Sequence, residues 1–141
     1  MSAFIDAGVL IAAYNTRDQN HERASQLIMS AIKREYGTPY TSDYVFDEAV
    51  TLMLTRTKKP EFALGLGEFI LGNPANKIPS FTKLLRVDED IFSASWAIFR
   101  KYSAKGLSFT DCTTVSLMNQ DRIDVLLSFD RSFDEIVKRV G

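Results

Sequence analysis

Short apolar runs alternate along the chain with longer stretches whose apolar residues recur every three or four positions, as expected of strands and amphipathic helices in turn. Ala3-Phe4-Ile5 reads as a short strand, Ala7 to Tyr14 as the helix after it, and Asn15 to Asn20 as a polar turn. His21 to Glu35 reads as a second helix, with Ala24, Leu27, Ile28, Ala31 and Ile32 on one face. Tyr40-Thr41 is too short to assign by pattern, but Ser42 or Asp43 supplies a cap for a helix running to Thr57. Pro60 suits the first turn of a fourth helix burying Phe62, Leu66, Phe69 and Ile70, weakened by Gly65 and Gly67. Gly72 to Ser80 reads as an internal loop.

Lys83 to Val87 reads as a strand, and Asp88 caps a helix in which Phe92, Trp96 and Phe99 keep the spacing of a buried face. That stripe is expected in the core, not as a base-stacking platform. Another helix starts near Thr110 or Asp111, and Val125 to Phe129 is a strand apolar on both faces. The pattern is α/β, a parallel β-sheet covered by helices. At 141 residues, one core suffices, so residues 1–141 are expected to form one domain.

Composition removes several function classes. Apolar residues make up 45% and charged residues 25% of the chain, ordinary values that exclude disordered and disulfide-stapled architectures. No apolar stretch is long enough to span a membrane, and the opening Met1 to Asp6 lacks a signal-peptide pattern, so a cytoplasmic chain is expected. Single copies of cysteine (Cys112) and histidine (His21) argue against a zinc enzyme. A net charge of -1 gives no general attraction for a polyanion, so nucleic-acid contacts must be local. The basic groups Arg56-Lys58-Lys59, Lys33-Arg34 and Arg100-Lys101 fall at predicted helix C-termini, where the macrodipole favours cations in any case.

Ligands of open α/β sheets bind beyond the carboxyl ends of the strands, and there this sequence places acids. Asp6 follows the first strand and Asp130 the last; Asp111 opens a helix, and Glu48 lies in the second turn of another. At 100° per residue, Asp47 points away from the face made by Val45, Phe46, Ala49, Val50 and Met53, whereas Glu48 falls at its boundary, between Tyr44 and Leu52, and can turn into a cleft. Asp43 is better placed as a cap. Each acid alone has an ordinary structural use as a cap, turn former or solvated side chain. Asp6, flanked by apolar residues, is different, because burying an unpaired charge is costly.

Two carboxylates about 4 Å apart repel by roughly 4 kcal/mol at an effective dielectric near 20. An all-oxygen donor set of this kind selects a hard divalent ion, Mg²⁺ or Mn²⁺. Such an ion can activate water and neutralise a leaving alkoxide, which is the chemistry of phosphodiester hydrolysis. His21, at a helix start among charged neighbours, reads as structural, Cys112 as a small buried apolar residue, and Asp134 as exposed.

These residues also resemble the PIN-domain ribonucleases, which include the VapC-type toxins of toxin-antitoxin pairs. The likeness begins with Phe4-Ile5-Asp6-Ala7-Gly8-Val9-Leu10-Ile11-Ala12 and continues through Asn20-His21-Glu22-Arg23-Ala24 and Phe46-Asp47-Glu48-Ala49. Phe109-Thr110-Asp111-Cys112 and Ser128-Phe129-Asp130-Arg131-Ser132-Phe133 complete the ordered set. The resemblance implies a small parallel sheet flanked by helices on both faces, a three-layer α/β/α fold. It further implies that Asp6, Glu48, Asp111 and Asp130 bind Mg²⁺ or Mn²⁺ and cut RNA with metal-activated water. Ser128 and Thr110 would brace the rim, a homodimer is common, and a cognate antitoxin would inhibit. Ala7 and Gly8 stand where the family often has a hydroxyl or amide side chain, so Asp6 lacks that local support.

A haloacid-dehalogenase-type phosphatase would need a second aspartate where Gly8 stands, and a receiver domain would need adjacent acids at the first strand and a late lysine. The non-enzymatic alternative is a PIN-like module that binds RNA or protein while its acids hold a structural ion.

Overall fold

The computed structural model describes residues 1–141. Five parallel strands form one sheet in the order β3-β2-β1-β4-β5, with β1 (Ser2–Ile5), β2 (Thr38–Ser42), β3 (Lys83–Leu85), β4 (Val125–Leu127) and β5 (Arg139–Val140). Six α-helices connect them: α1 (Ala7–Tyr14), α2 (His21–Ile32), α3 (Asp43–Thr57), α4 (Pro60–Leu71), α5 (Glu89–Tyr102) and α6 (Phe109–Asp121). The chain steps from β1 through β2 to β3 in one direction, then crosses back to place β4 on the other side of β1. Right-handed crossovers therefore set α1 to α4 on one face and α5 and α6 on the other. This is the three-layer arrangement expected, and no helix is long and apolar enough to cross a membrane.

The reversal between β1 and β4 opens a crevice at their carboxyl ends. Ile5 is in register with Leu127, and Phe4, Ile5, Leu126 and Leu127 are fully buried, so the two strands form the rigid centre of the sheet. The residues leaving these strands, Asp6 and Ser128, are set side by side by that register.

Several element ends differ from the sequence expectation. The second helix stops at Ile32 rather than Glu35, because Arg34 and Gly37 take left-handed backbone angles that turn the chain into β2. In β2, Pro39 lacks a ladder donor and resembles turn chemistry, which hides a strand paired on both sides. β3 ends at Leu85 and β4 at Leu127, each short of the predicted end. β5 is a two-residue strand held by parallel pairing to β4, too short to leave a pattern.

The aromatic stripe of α5 is a correction of more consequence. Phe92 and Trp96 are about half exposed, at 49% and 51%, and the buried residues of this helix are Ile91 and Ser95. The inner face lies one residue around from Phe92 and Trp96, while Phe99, the third aromatic residue of the stripe, is partly buried and packs against the core with Ile98. Ser95 Oγ donates to the Ile91 carbonyl at 2.6 Å and pairs with Ser116 Oγ of α6 at 3.1 Å, so the serine is satisfied inside the core. In α4, Leu66 and Ile70 are buried as expected, Phe69 is partly buried, and Phe62 is exposed. Gly65 leaves room for the Tyr14 hydroxyl, since a Cβ there would stand 1.9 Å from it and push that ring aside.

Candidate active site

Asp6 ends β1 and caps α1: its Oδ1 accepts the Ala7 backbone N–H at 2.9 Å. Its Oδ2 accepts the Ser128 hydroxyl at 2.6 Å, from the residue that follows β4. Ser128 thus supplies the support that Ala7 and Gly8 cannot. Ser128 Oγ also accepts the Asp130 N–H at 3.1 Å, tying both strand ends together. Gly8 faces open space, because a Cβ there would meet nothing within 4 Å.

Glu48 comes from the second turn of α3, whose start is fixed by Ser42 Oγ accepting the Val45 N–H at 3.1 Å. As the helical angles predict, Asp47 is exposed and Glu48 turns inward to half-burial. Asp43 is not the N-cap, which is Ser42; its carboxylate instead accepts the Tyr44 and Val87 N–H groups and joins α3 to the end of β3.

Asp111 lies at the third position of α6 in a capping box with Ser108. Ser108 Oγ accepts the Asp111 N–H at 3.0 Å, and Asp111 Oδ2 accepts the Ser108 N–H at 2.9 Å. The junction here joins α5 to α6 and is not the strand-to-helix turn the sequence suggested. Ser108, and not Thr110, is the hydroxyl that holds this part of the rim, as the Thr110 carbonyl only receives the Thr113 hydroxyl.

Asp6, Glu48 and Asp111 each offer a carboxylate oxygen, and these oxygens lie within 4.8 Å of one another. Asp130 lines the same cleft but stands outside this trio. Its Oδ1 accepts the Ser132 N–H at 2.9 Å, capping the 3-10 turn Arg131–Phe133.

Electrostatics follow from burial. Desolvation, aided by Asp111 and Asp130 and opposed by the bonds from Ser128 and Ala7, raises the Asp6 carboxyl to about 6. Desolvation, with the charges of Asp6 and Asp111 added, raises Glu48 to about 7, while Arg56 acts in the opposite direction. Asp111 is also raised, chiefly by burial. A cation among the three would relieve both causes. Hard oxygen donors, no paired base and mutual repulsion fit Mg²⁺ or Mn²⁺.

The cleft has a volume of about 450 Å³. Its wall includes residues beyond the predicted acids, among them Asp18, Gln19 and Asn20 of the α1–α2 turn, Ser108 and Arg56. The serine-x-x-aspartate spacing of a capping box could have revealed Ser108, and the four-residue steps from Glu48 through Leu52 to Arg56 could have revealed the arginine. The α1–α2 turn carries no such signal. His21 does not reach the acids: its Nδ1 meets the Ala12 carbonyl at 2.8 Å and ties α2 to α1. Cys112 is fully buried, and Asp134 is exposed and paired with Arg139.

The chain is similar along most of its length to known proteins. A VapC ribonuclease of Archaeoglobus fulgidus is 26% identical over 133 residues, covering 94% of this chain and 80% of that protein. Among solved structures, Mycobacterium tuberculosis VapC20, described as a Sarcin-Ricin loop cleaving toxin, superposes with a TM-score of 0.79. It is 22% identical, with 94% of this chain and 93% of that chain covered. A chain of VapBC2 from Rickettsia felis, solved with a DNA fragment from the VapBC2 promoter, gives 0.68 at 14% identity, covering 99% and 98% of the two chains. The family model described as PIN domain matches residues 3–139, nearly the whole sequence and every acid of the cleft, so the chain belongs to the PIN domain family.

Proposed function

We propose that this protein is a divalent-metal-dependent endoribonuclease of the VapC kind, acting as the toxin of a toxin-antitoxin pair in the cytoplasm. The observation that carries the reading is the trio of Asp6, Glu48 and Asp111, whose carboxylate oxygens lie within 4.8 Å of one another with no basic partner. The names of the similar proteins supply the substrate class, RNA, and the VapBC complex supports an antitoxin as protein partner. A homodimer belongs to the same reading.

Asp6, Glu48 and Asp111 would hold Mg²⁺ or Mn²⁺, with Asp130 as the fourth acid at the rim. When bound, such an ion supplies an activated water and neutralises charge on the leaving oxygen. The chain's own residues set the geometry. Ser128 and the Ala7 N–H fix both oxygens of Asp6 in direction, and the Ser108 N–H fixes one oxygen of Asp111. Glu48, carried on a helix that starts at a buried cap, closes the third side. Ile11 and Leu52 give the cleft apolar walls that limit water around the acids.

The test is RNA cleavage by purified protein with Mg²⁺, with Mn²⁺ and with chelator, together with calorimetric titration of the metal. Metal-dependent cleavage lost in Asp6→Asn supports the nuclease. RNA association without turnover, persisting in Asp6→Asn, selects the non-catalytic binding module instead.

A further inference from the structure

We propose that Arg56 grips a phosphate of the RNA strand next to the one that is cut, and so positions the substrate along α3. This rests on the ribonuclease reading for its substrate, but it concerns a residue outside the acidic set.

Arg56 is the one basic side chain lining the cleft, against five carboxylates: Asp6, Asp18, Glu48, Asp111 and Asp130. With that many acids nearby, a guanidinium placed only to neutralise charge would pair with one of them. It does not. The ion pairs of the molecule are Lys105 with Glu135 and Arg139 with Asp134, and both leave Arg56 free. It lines the same cleft as Glu48 and yet has no ion-pair partner there, so it faces the acids without touching them.

The position follows from the helix. Glu48, Leu52 and Arg56 lie four residues apart on one stripe of α3, so Arg56 stands about 12 Å along the axis from Glu48. Long helical side chains lean toward the N-terminus, which brings the guanidinium back toward the acids while leaving a gap. Leu52, in that gap, offers no polar group to compete for it. A phosphate held at the acid trio therefore has its neighbour, and not itself, within the arginine's range. The planar fork of guanidinium donors matches phosphate oxygens in pairs, which a point charge does not.

A placement in the last turn of α3 also favours a cation through the helix dipole, but that effect needs no cleft and is met equally by the adjacent Lys58. The two roles part in their response to salt. Each phosphate contact on a single strand contributes about 0.7 to the slope of log affinity against log salt.

The experiment titrates a fluorescein-labelled, mixed-sequence single-stranded RNA onto Asp6→Asn protein in Mg²⁺ over a salt series, with and without Arg56→Ala or Arg56→Lys. Arg56→Ala is expected to weaken binding about 10-fold and to lower the slope by about 0.7. Arg56→Lys should keep the slope and recover only part of the affinity. In the cleavage-competent protein, Arg56→Ala should raise KM with kcat within about two-fold. Unchanged affinity and slope in Arg56→Ala overturn the proposal, even where metal-dependent cleavage is intact and the nuclease reading stands. A reduced slope in a protein that never cleaves removes the nuclease reading and overturns the proposal with it, leaving Arg56 a phosphate contact of a binding module. Absence of RNA binding by the parent overturns the proposal outright.

Discussion

A carboxylate oxygen of Glu48 lies within 4.8 Å of one from Asp6, and neither residue has an ion-pair partner. One comes from the helix after β2 and the other from the end of β1, so the fold holds two like charges together in a partly dry cleft. Without a bound cation, the molecule bears that repulsion as lost stability.

The loss has a defined pH window. Unfolded, the two carboxyls titrate near their ordinary values of 3.8 and 4.5; folded, they are raised to about 6 and about 7. Between these limits the native state binds more protons than the unfolded chain, so metal-free stability falls as pH rises from about 4 to 7. For the buried Asp6 alone the fall is on the order of 2 to 3 kcal/mol. Thermal melts in chelator should show a lower Tm at pH 8 than at pH 5.5, and Mg²⁺ or Mn²⁺ should restore more at pH 8. An equal fall in Asp6→Asn would remove Asp6 as the cause.

Asp6→Asn should fold. The amide oxygen can still accept the Ala7 N–H, and the amide N–H can donate to Ser128 Oγ, so both local bonds survive with the charge removed. The variant is expected to match or exceed the parent's Tm in chelator at pH 8, to lose the metal-induced rise, and to lose cleavage by at least about 100-fold. A folded variant that keeps full activity would falsify the role assigned to Asp6.

Ser128→Ala removes the donor that most favours the Asp6 carboxylate and leaves the Asp130 N–H without its acceptor. The cost is about 1 to 2 kcal/mol. With that donor gone, the Asp6 carboxyl rises further, so the acid limb of the rate profile should move to higher pH. Rate profiles of the two proteins over pH 5 to 9 decide this; a loss of rate with an unmoved limb shows a purely structural serine.

Asp130 is spent partly on its own turn and stands outside the trio, whereas Glu48 is a member of it. Glu48→Gln is therefore expected to weaken divalent-metal binding roughly 10-fold or more, and Asp130→Asn only a few-fold. Calorimetric titration of both variants checks the order, and equal losses would place Asp130 among the direct ligands.

The acids were legible in the sequence because each sits at a position that secondary structure fixes. Asp6 follows an apolar run at once, and the helical angle alone separates Glu48 from Asp47. What stayed hidden depends on packing between distant segments. The hydroxyl that braces Asp6 is 122 residues away, so no local pattern shows that the two touch. Periodicity misplaces the inner face of α5, because large aromatic residues dominate it while Ile91 and Ser95, the latter bonded to Ser116 of a distant helix, are the residues buried. Arg56 was legible as a helix-end cation and not as a cleft residue, since the two placements coincide in sequence.

The pairing of β1 with β4 joins the fourth residue of the sequence to residue 126. While the polypeptide is still emerging from the ribosome, Asp6 exists long before the strand and the hydroxyl that will set its direction. A nascent chain short of Ser128 therefore has no finished cleft: the acid already made waits, undirected, until the fourth strand and the hydroxyl behind it have been added.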